Sequence, residues 1–160
     1  MRLNKEPLQA STGPTVNLPS GSFIKAADIY RIYFHGPAYQ VLEQAWWDGD
    51  RMFGTMSRHL PANHQPDNRP TVLAPRLIEL CFQTAGLWEM AVQGRMGLPL
   101  HIDHVRVWQA STLVEGQLFA IVTPLPDGGF DAQVVNANGN RYVQLSGYRT
   151  VALPVALEAK

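Results

Sequence analysis

The first turns of the most apolar predicted helix, PRLIELCFQ at positions 75 to 83, include one acid and one amide. Glu79 and Gln83 are four residues apart, which places both on one face of a helix. A carboxyl group in apolar surroundings loses hydration, and this favours the protonated form that a general acid needs. Gln83 could orient that acid or hold a substrate oxygen. The alternative is that Glu79 only benefits from a nearby helix N-terminus, and spacing alone favours this alternative.

His35 is the second candidate for chemistry. It precedes Gly36 and Pro37, which form a turn that can aim a side chain into a cleft. There it could donate a hydrogen bond to Glu79 or to a substrate carbonyl. A half-buried histidine that is satisfied by the backbone explains the same position equally well.

The other histidines favour structural interpretations. His64 lies in the loop RHLPANHQPDNRP, positions 58 to 70, and we interpret it as a loop histidine. His101 and His104 are expected on opposite faces of a strand, and with Asp103 they do not make a convincing ligand set. We therefore predict no metal and no cofactor.

Composition excludes several classes of protein. The chain has 160 residues, 46% of them hydrophobic and 16% charged, with 13 basic and 13 acidic side chains. This balance gives no reason to expect a nucleic-acid partner. No apolar run reaches the ~20 residues of a membrane span, and no signal peptide is visible. Cys81 is the single cysteine, so it is interpreted as a small core residue, and a cytoplasmic location is expected.

The elements that must position these residues follow from periodicity and turn signals. Residues 1–22 are rich in Pro, Ser, Thr and Gly and are predicted to be a linker or flexible lead-in to a domain at 23–155. IYRIYF at 29–34 is typical of a strand, and two runs around an Asp-Gly turn predict a hairpin. The long helix is predicted from Val72 to about Gln93, followed by about four strands. A single buried helix against an antiparallel sheet is an α+β arrangement.

Three stretches resemble one family. The family's YGPxFQ segment and following hairpin are similar to FHGPAYQVLEQAWWDGDRMFGTM. Its LHPxLLDxxxQ segment is similar to LAPRLIELCFQTAG. Its closing sheet is similar to LPLHIDHVRVW and the strands that follow, which end in FDAQVVNANGNRYVQLSGYRTV. The family is the dehydratase domain of polyketide and polyunsaturated-fatty-acid synthases. That domain is a double hotdog, in which each half wraps an antiparallel sheet around a long helix. The resemblance covers roughly residues 28–153 and implies the C-terminal hotdog.

The resemblance implies roles for single residues. Glu79 takes the place of the family's acid, normally Asp, and Gln83 that of its Gln. The implied reaction is loss of water from a 3-hydroxyacyl thioester held on the phosphopantetheine arm of an acyl carrier protein, in polyketide or fatty-acid biosynthesis. Helix-end N–H groups between Val72 and Leu77 are expected to polarise the thioester carbonyl. The expected substrate-binding residues are Gly36, Pro37, Tyr39 and Leu77.

The sequence also departs from the family. His35 replaces the tyrosine of YGP, Ala74 replaces the histidine of LHP, and HxxxGxxxxP, which supplies the catalytic histidine, is absent. A dehydratase would therefore need a second hotdog, either another copy of the chain or an N-terminal half. Two alternatives stay open: a non-catalytic acyl-binding or scaffold hotdog, and a hotdog thioesterase.

Overall fold

The computed structural model describes residues 8–67, 69, 71, 73–108 and 116–153. Two α-helices and eight strands make up the described elements, with one 3₁₀ turn at Pro37–Tyr39. In chain order they are β1 Ile24–Lys25, α1 Ala26–Ile32, β2 Leu42–Asp48, β3 Arg51–Met56, α2 Pro75–Gln93, β4 Gly97–His101, β5 His104–Val107, β6 Leu118–Pro124, β7 Phe130–Asn136 and β8 Arg141–Ala152.

One antiparallel sheet carries all eight strands. Its order is β1-β2-β3-β6-β7-β8-β4, and β5 also pairs with β8. The long helix α2 contacts strands β2, β3, β4, β6, β7 and β8 on one face of this sheet. The predicted α+β class, with one long helix against an antiparallel sheet, is therefore confirmed.

Helix α2 is bounded by residues that suit its ends. Pro75 occupies the first turn, and Gly94 ends the helix in the left-handed conformation at φ 63°. Its packing against the sheet is close at Gly54 of β3, where a Cβ would overlap Thr84 and Leu42. At this position only glycine leaves room for the Thr84 and Leu42 side chains between the helix and the sheet.

The segment from 29 to 34 does not form the strand that its composition predicts. Residues Ala26–Ile32 form helix α1, and Tyr33 is its extended C-cap. Ile29 and Tyr33, four residues apart, are both buried against the core. Burial of that helical stripe outweighs the β-propensity of aromatic and branched residues, which is a weak preference that depends on context.

The lead-in contacts the sheet within the range predicted as linker. Thr12 forms a bridge with Asn140, and the Arg141 backbone N–H donates to the Ser11 carbonyl at 3.0 Å. Val16 is buried in an apolar cluster on the sheet face remote from α2. That outer cluster consists of Val16, Trp46, Phe53, Phe119, Ile121 and Val135, with Phe23 at its edge.

The segment after α2 is divided into two strands where one was predicted. Ile102 and Asp103 separate β4 from β5, so His101 and His104 lie on different strands and are both exposed. The start of the predicted strand from 113 lies outside the described residues. Within the described part of the chain, no helix is both long and apolar enough to cross a membrane.

Candidate functional site

Glu79, Gln83 and His35 meet at one point. Helix α2 presents Glu79 and Gln83 one turn apart, and the chain leaving α1 brings His35 to them. The His35 Nε2 and Glu79 Oε1 atoms are 2.9 Å apart, and Gln83 Nε2 donates to the same Oε1 at 3.0 Å. One carboxylate oxygen therefore accepts a hydrogen bond from Gln83 and lies at ion-pair distance from His35.

The Gln83 amide has a fixed orientation. Tyr30 Oη donates to Gln83 Oε1 at 2.7 Å and itself accepts the Leu42 backbone N–H at 2.7 Å. The amide nitrogen of Gln83 also donates to the Tyr39 carbonyl at 2.8 Å. Because the amide oxygen is occupied by a donor, the NH₂ group must face Glu79.

The His35 ring is held by its aromatic neighbours. It stacks on Phe34 at 5.1 Å between centroids and meets Tyr33 edge to face at 5.3 Å. Its Nδ1 atom is enclosed and has no hydrogen-bond partner among the described residues. The imidazole can therefore act on the site only through Nε2, the atom that faces Glu79.

A small slot opens beside these residues. Its volume is about 60 Å³, and the Glu79 side chain at its edge is 20% exposed. The slot is lined by Tyr33, Phe34, His35, Glu79, Phe82, Gln83, Gly86, Met96, Gly97, Leu98, Pro99 and Tyr148. Most of these side chains are apolar, so the slot suits a small apolar group with one polar atom near Glu79.

Tyrosines around the slot were not singled out by sequence reasoning. Tyr33 Oη donates to the Gln83 backbone carbonyl at 2.7 Å and covers Gly86, where a Cβ would overlap it. Burial raises the pKa of Tyr30, Tyr33 and Tyr148 above the ordinary tyrosine value. All three therefore stay protonated, and Tyr30 and Tyr33 serve as hydrogen-bond donors to Gln83. Their isolated hydroxyls in otherwise apolar segments were the available signal.

The predicted substrate-binding residues lie around the slot without lining it. Gly36 and Pro37 are exposed, and Pro37 faces a separate depression of about 270 Å³ with Tyr30 and Arg58. Tyr39 contributes its backbone carbonyl to Gln83. Leu77 is 0% exposed and belongs to the core, because the α2 face that carries it points into the sheet.

The N-terminus of α2 offers fewer free donors than expected. Leu77 and Ile78 both donate their backbone N–H groups to the Ala74 carbonyl, at 2.9 and 3.3 Å. Pro75 has no N–H group. The Val72 part of the expected carbonyl-binding segment lies outside the described residues.

The remaining candidates stay away from this site. His64 contacts Asn63 Oδ1 at 2.7 Å and the Arg69 carbonyl at 2.6 Å, so both ring nitrogens serve the loop. His101 Nε2 lies 2.9 Å from Asp103 Oδ1 at the surface. Cys81 is buried in the core. The described residues contain no group of three or more His, Cys, Asp or Glu side chains placed to hold a metal.

Solved polyketide synthase dehydratases share the fold. The chain is 20% identical to a trans-AT polyketide synthase dehydratase domain from Brevibacillus brevis, with a TM-score of 0.70, covering 90% of this chain and 55% of that one. It is 19% identical to the dehydratase domain from the CurF module of curacin polyketide synthase, with a TM-score of 0.69 and coverages of 92% and 55%. It is 20% identical to the dehydratase domain from the CurK module of curacin polyketide synthase, with a TM-score of 0.66, covering 94% of this chain and 56% of that one. The chain thus spans about half the length of these structures, and the likeness establishes the hotdog fold.

Sequence comparison adds the family. No curated protein sequence matches the chain significantly. The matching family model is described as the polyketide synthase dehydratase N-terminal domain, and it covers residues 25–160. Its description does not confirm the expectation of a C-terminal half. With most of its length matched by this model, the chain belongs to the polyketide synthase dehydratase family.

Proposed function

We propose that this chain is the acid-bearing hotdog, the C-terminal one of its family, of a dehydratase that removes water from 3-hydroxyacyl thioesters. The observation that carries the proposal is the Glu79 carboxyl group, held at Oε1 by His35 and Gln83 beside an apolar slot. Family membership supplies the reaction class, and the site supplies the acid.

The hydrogen bond from Gln83 and the ion-pair contact with His35 both involve Oε1, which leaves Oε2 as the oxygen for chemistry. Oε2 makes no hydrogen bond within the described part of the chain, and Glu79 lines the slot. In the proposed reaction a base removes the α-proton, the α,β double bond forms and the C–O bond at the β-carbon breaks. Glu79 gives the Oε2 proton to the departing hydroxyl, which leaves as water. Glu79 then holds a negative charge, which the Gln83 hydrogen bond at Oε1 stabilises.

The base must come from outside the described residues of this site. His35 has its Nε2 against Glu79 and its Nδ1 enclosed, so neither nitrogen is placed to take an α-proton. We therefore infer a second hotdog that supplies a histidine, either another copy of the chain or a half within a larger synthase. An acyl carrier protein, with its phosphopantetheine arm, is the inferred carrier of the substrate.

The experiment replaces Glu79 by Gln in the native polypeptide that contains these residues. Glu79→Gln keeps the hydrogen-bond acceptor and removes the acidic proton, so formation of the 2,3-enoyl thioester should fall by about 10²- to 10⁴-fold. The assay follows enoyl absorbance with a 3-hydroxyacyl-pantetheine substrate. Glu43→Gln, an exposed acid on β2, is the matched control and should keep full activity.

Three outcomes separate the candidate functions. Loss of dehydration in Glu79→Gln with an unchanged melting temperature supports the proposal. Acyl binding without water loss in the wild type, unaffected by Glu79→Gln, would instead identify a binding or scaffold hotdog. Release of free acid would identify a thioesterase.

A further inference from the structure

Tyr148 holds the one hydroxyl in the slot that the described residues leave without a partner. It lies on β8, faces α2 and stacks its ring on Phe82 at 4.6 Å between centroids. The residue is 1% exposed and lines the slot. Its hydroxyl makes no hydrogen bond to the described residues, and it is not among the enclosed atoms that lack a partner. The hydroxyl therefore opens onto the slot.

The other polar groups of the slot are already engaged. Tyr33 Oη donates to the Gln83 carbonyl, and the Gln83 amide is held by Tyr30, Tyr39 and Glu79. This leaves two free points in an apolar lining, Glu79 Oε2 and the Tyr148 hydroxyl. An unpaired polar group in such a site favours a ligand that offers the matching atom and disfavours one that does not.

Depth decides which part of a substrate meets Tyr148. The Glu79 side chain is 20% exposed, whereas Tyr148 is 1% exposed. The thioester must point outward, because its pantetheine arm leaves through the mouth of the slot. When the β-hydroxyl is at Glu79, the groups deeper than Glu79 contact the acyl chain beyond the β-carbon.

The Tyr148 ring packs within about one turn of α2 from Glu79. Phe82, on which Tyr148 stacks, follows Glu79 by three residues, a rise of about 4.5 Å along α2. The slot volume of about 60 Å³ limits the chain to a few heavy atoms beyond the reacting carbon. Burial keeps the phenol protonated, so it offers a hydrogen and requires an acceptor.

We propose that Tyr148 is a specificity-determining residue that selects short acyl chains carrying a second oxygen beyond the β-hydroxyl over fully reduced chains. This inference rests on the proposed function, because it assumes that the β-hydroxyl occupies Glu79. The oxygen accepts a hydrogen bond from the Tyr148 hydroxyl, and a saturated chain leaves that hydroxyl unpaired.

The experiment compares two ligands that differ by one oxygen, 3-hydroxyhexanoyl- and 3,5-dihydroxyhexanoyl-pantetheine amides. The amide replaces the thioester, so calorimetry measures binding without reaction in the native polypeptide. The wild type should bind the dihydroxy ligand about 3- to 10-fold more tightly, the effect of one neutral hydrogen bond. Tyr148→Phe should reduce that preference to below about 2-fold and leave the Kd of the monohydroxy ligand nearly unchanged.

A matched control lies on the same strand. Tyr142 is buried on β8 outside the slot, and Tyr142→Phe should keep the wild-type preference. The ligand comparison in the wild type needs no variant, so it tests the proposal even if Tyr148→Phe unfolds. If the wild type binds both ligands equally, the inference about Tyr148 is overturned and the proposed function is not. The same holds if Tyr148→Phe weakens the binding of both ligands equally. Binding of neither ligand, together with no dehydration, overturns the proposed function instead.

Discussion

Tyr30 links the sheet to the candidate acid, so its hydroxyl is a sensitive point for substitution. It accepts the Leu42 N–H at the start of β2 and donates to Gln83 Oε1. Tyr30→Phe removes both bonds and changes the side-chain volume little. Gln83 loses the donor to its amide oxygen and keeps only the bonds of its NH₂ group to the Tyr39 carbonyl and Glu79, so its orientation is less firmly held.

The size of the effect follows from burial. Leu42 is 0% exposed, and a buried donor left unpaired costs about 1–3 kcal/mol. Loss of the bond to Gln83 adds about 1 kcal/mol, for a total of about 2–4 kcal/mol in the free energy of unfolding. With a urea m-value of about 2 kcal/mol/M, the midpoint should fall by about 1–2 M. Activity should fall further than stability explains, through kcat more than KM.

Urea unfolding and steady-state dehydration kinetics measure the two effects. Tyr142→Phe serves as the comparison, because its hydroxyl makes no hydrogen bond within the described residues. If the free energy of unfolding of Tyr30→Phe lies within about 0.5 kcal/mol of the wild-type value, the expected cost of leaving the Leu42 N–H unpaired is refuted. If Tyr142→Phe destabilises the protein as much as Tyr30→Phe does, the loss comes from removing any buried phenol hydroxyl and not from the two hydrogen bonds of Tyr30.

Two further expectations concern buried groups near α2. Cys81 is fully buried, and burial raises the pKa of its thiol. A disulfide reagent should therefore modify it only after the protein is unfolded in guanidinium chloride. If the native protein reacts at the same rate as the unfolded protein, the placement of Cys81 in the core is wrong. Gly97→Ala should lower stability by about 1–3 kcal/mol, because a Cβ there would overlap the buried Glu89 carboxylate and Thr150. Gly21→Ala, where the added Cβ meets open space, should change thermal unfolding little, and equal losses in the two variants would disprove the overlap.

The sequence predicted the site's helix better than the segment that completes the site. The Pro75 and Gly94 signals lie at the observed ends of α2, and the spacing of Glu79 and Gln83 places them together. The segment around Ile29 was wrongly interpreted as a strand, because its helical stripe is visible only once the core it packs against is known.

The contacts between side chains of distant segments could not be predicted from the sequence. Tyr30 reaches Gln83 across 53 positions, a contact that depends on how α1 sits on α2. Leu77 was expected to bind substrate because it belongs to the helix end, Val72 to Leu77, that was expected to polarise the thioester carbonyl. Two positions along a helix turn a side chain to another face, and Leu77 packs into the core.

The outer cluster limits how far the N-terminus of a recombinant version of this domain can be shortened. The family match starts at residue 25, yet Val16 helps to cover Trp46 and Phe53 on the far side of the sheet. A recombinant version that begins at the matched residue would lack Val16 and Phe23 and would expose more of these aromatic rings to water. Such a truncation invites self-association, so the useful boundary for laboratory work lies ahead of Ser11, where the lead-in first bonds to β8.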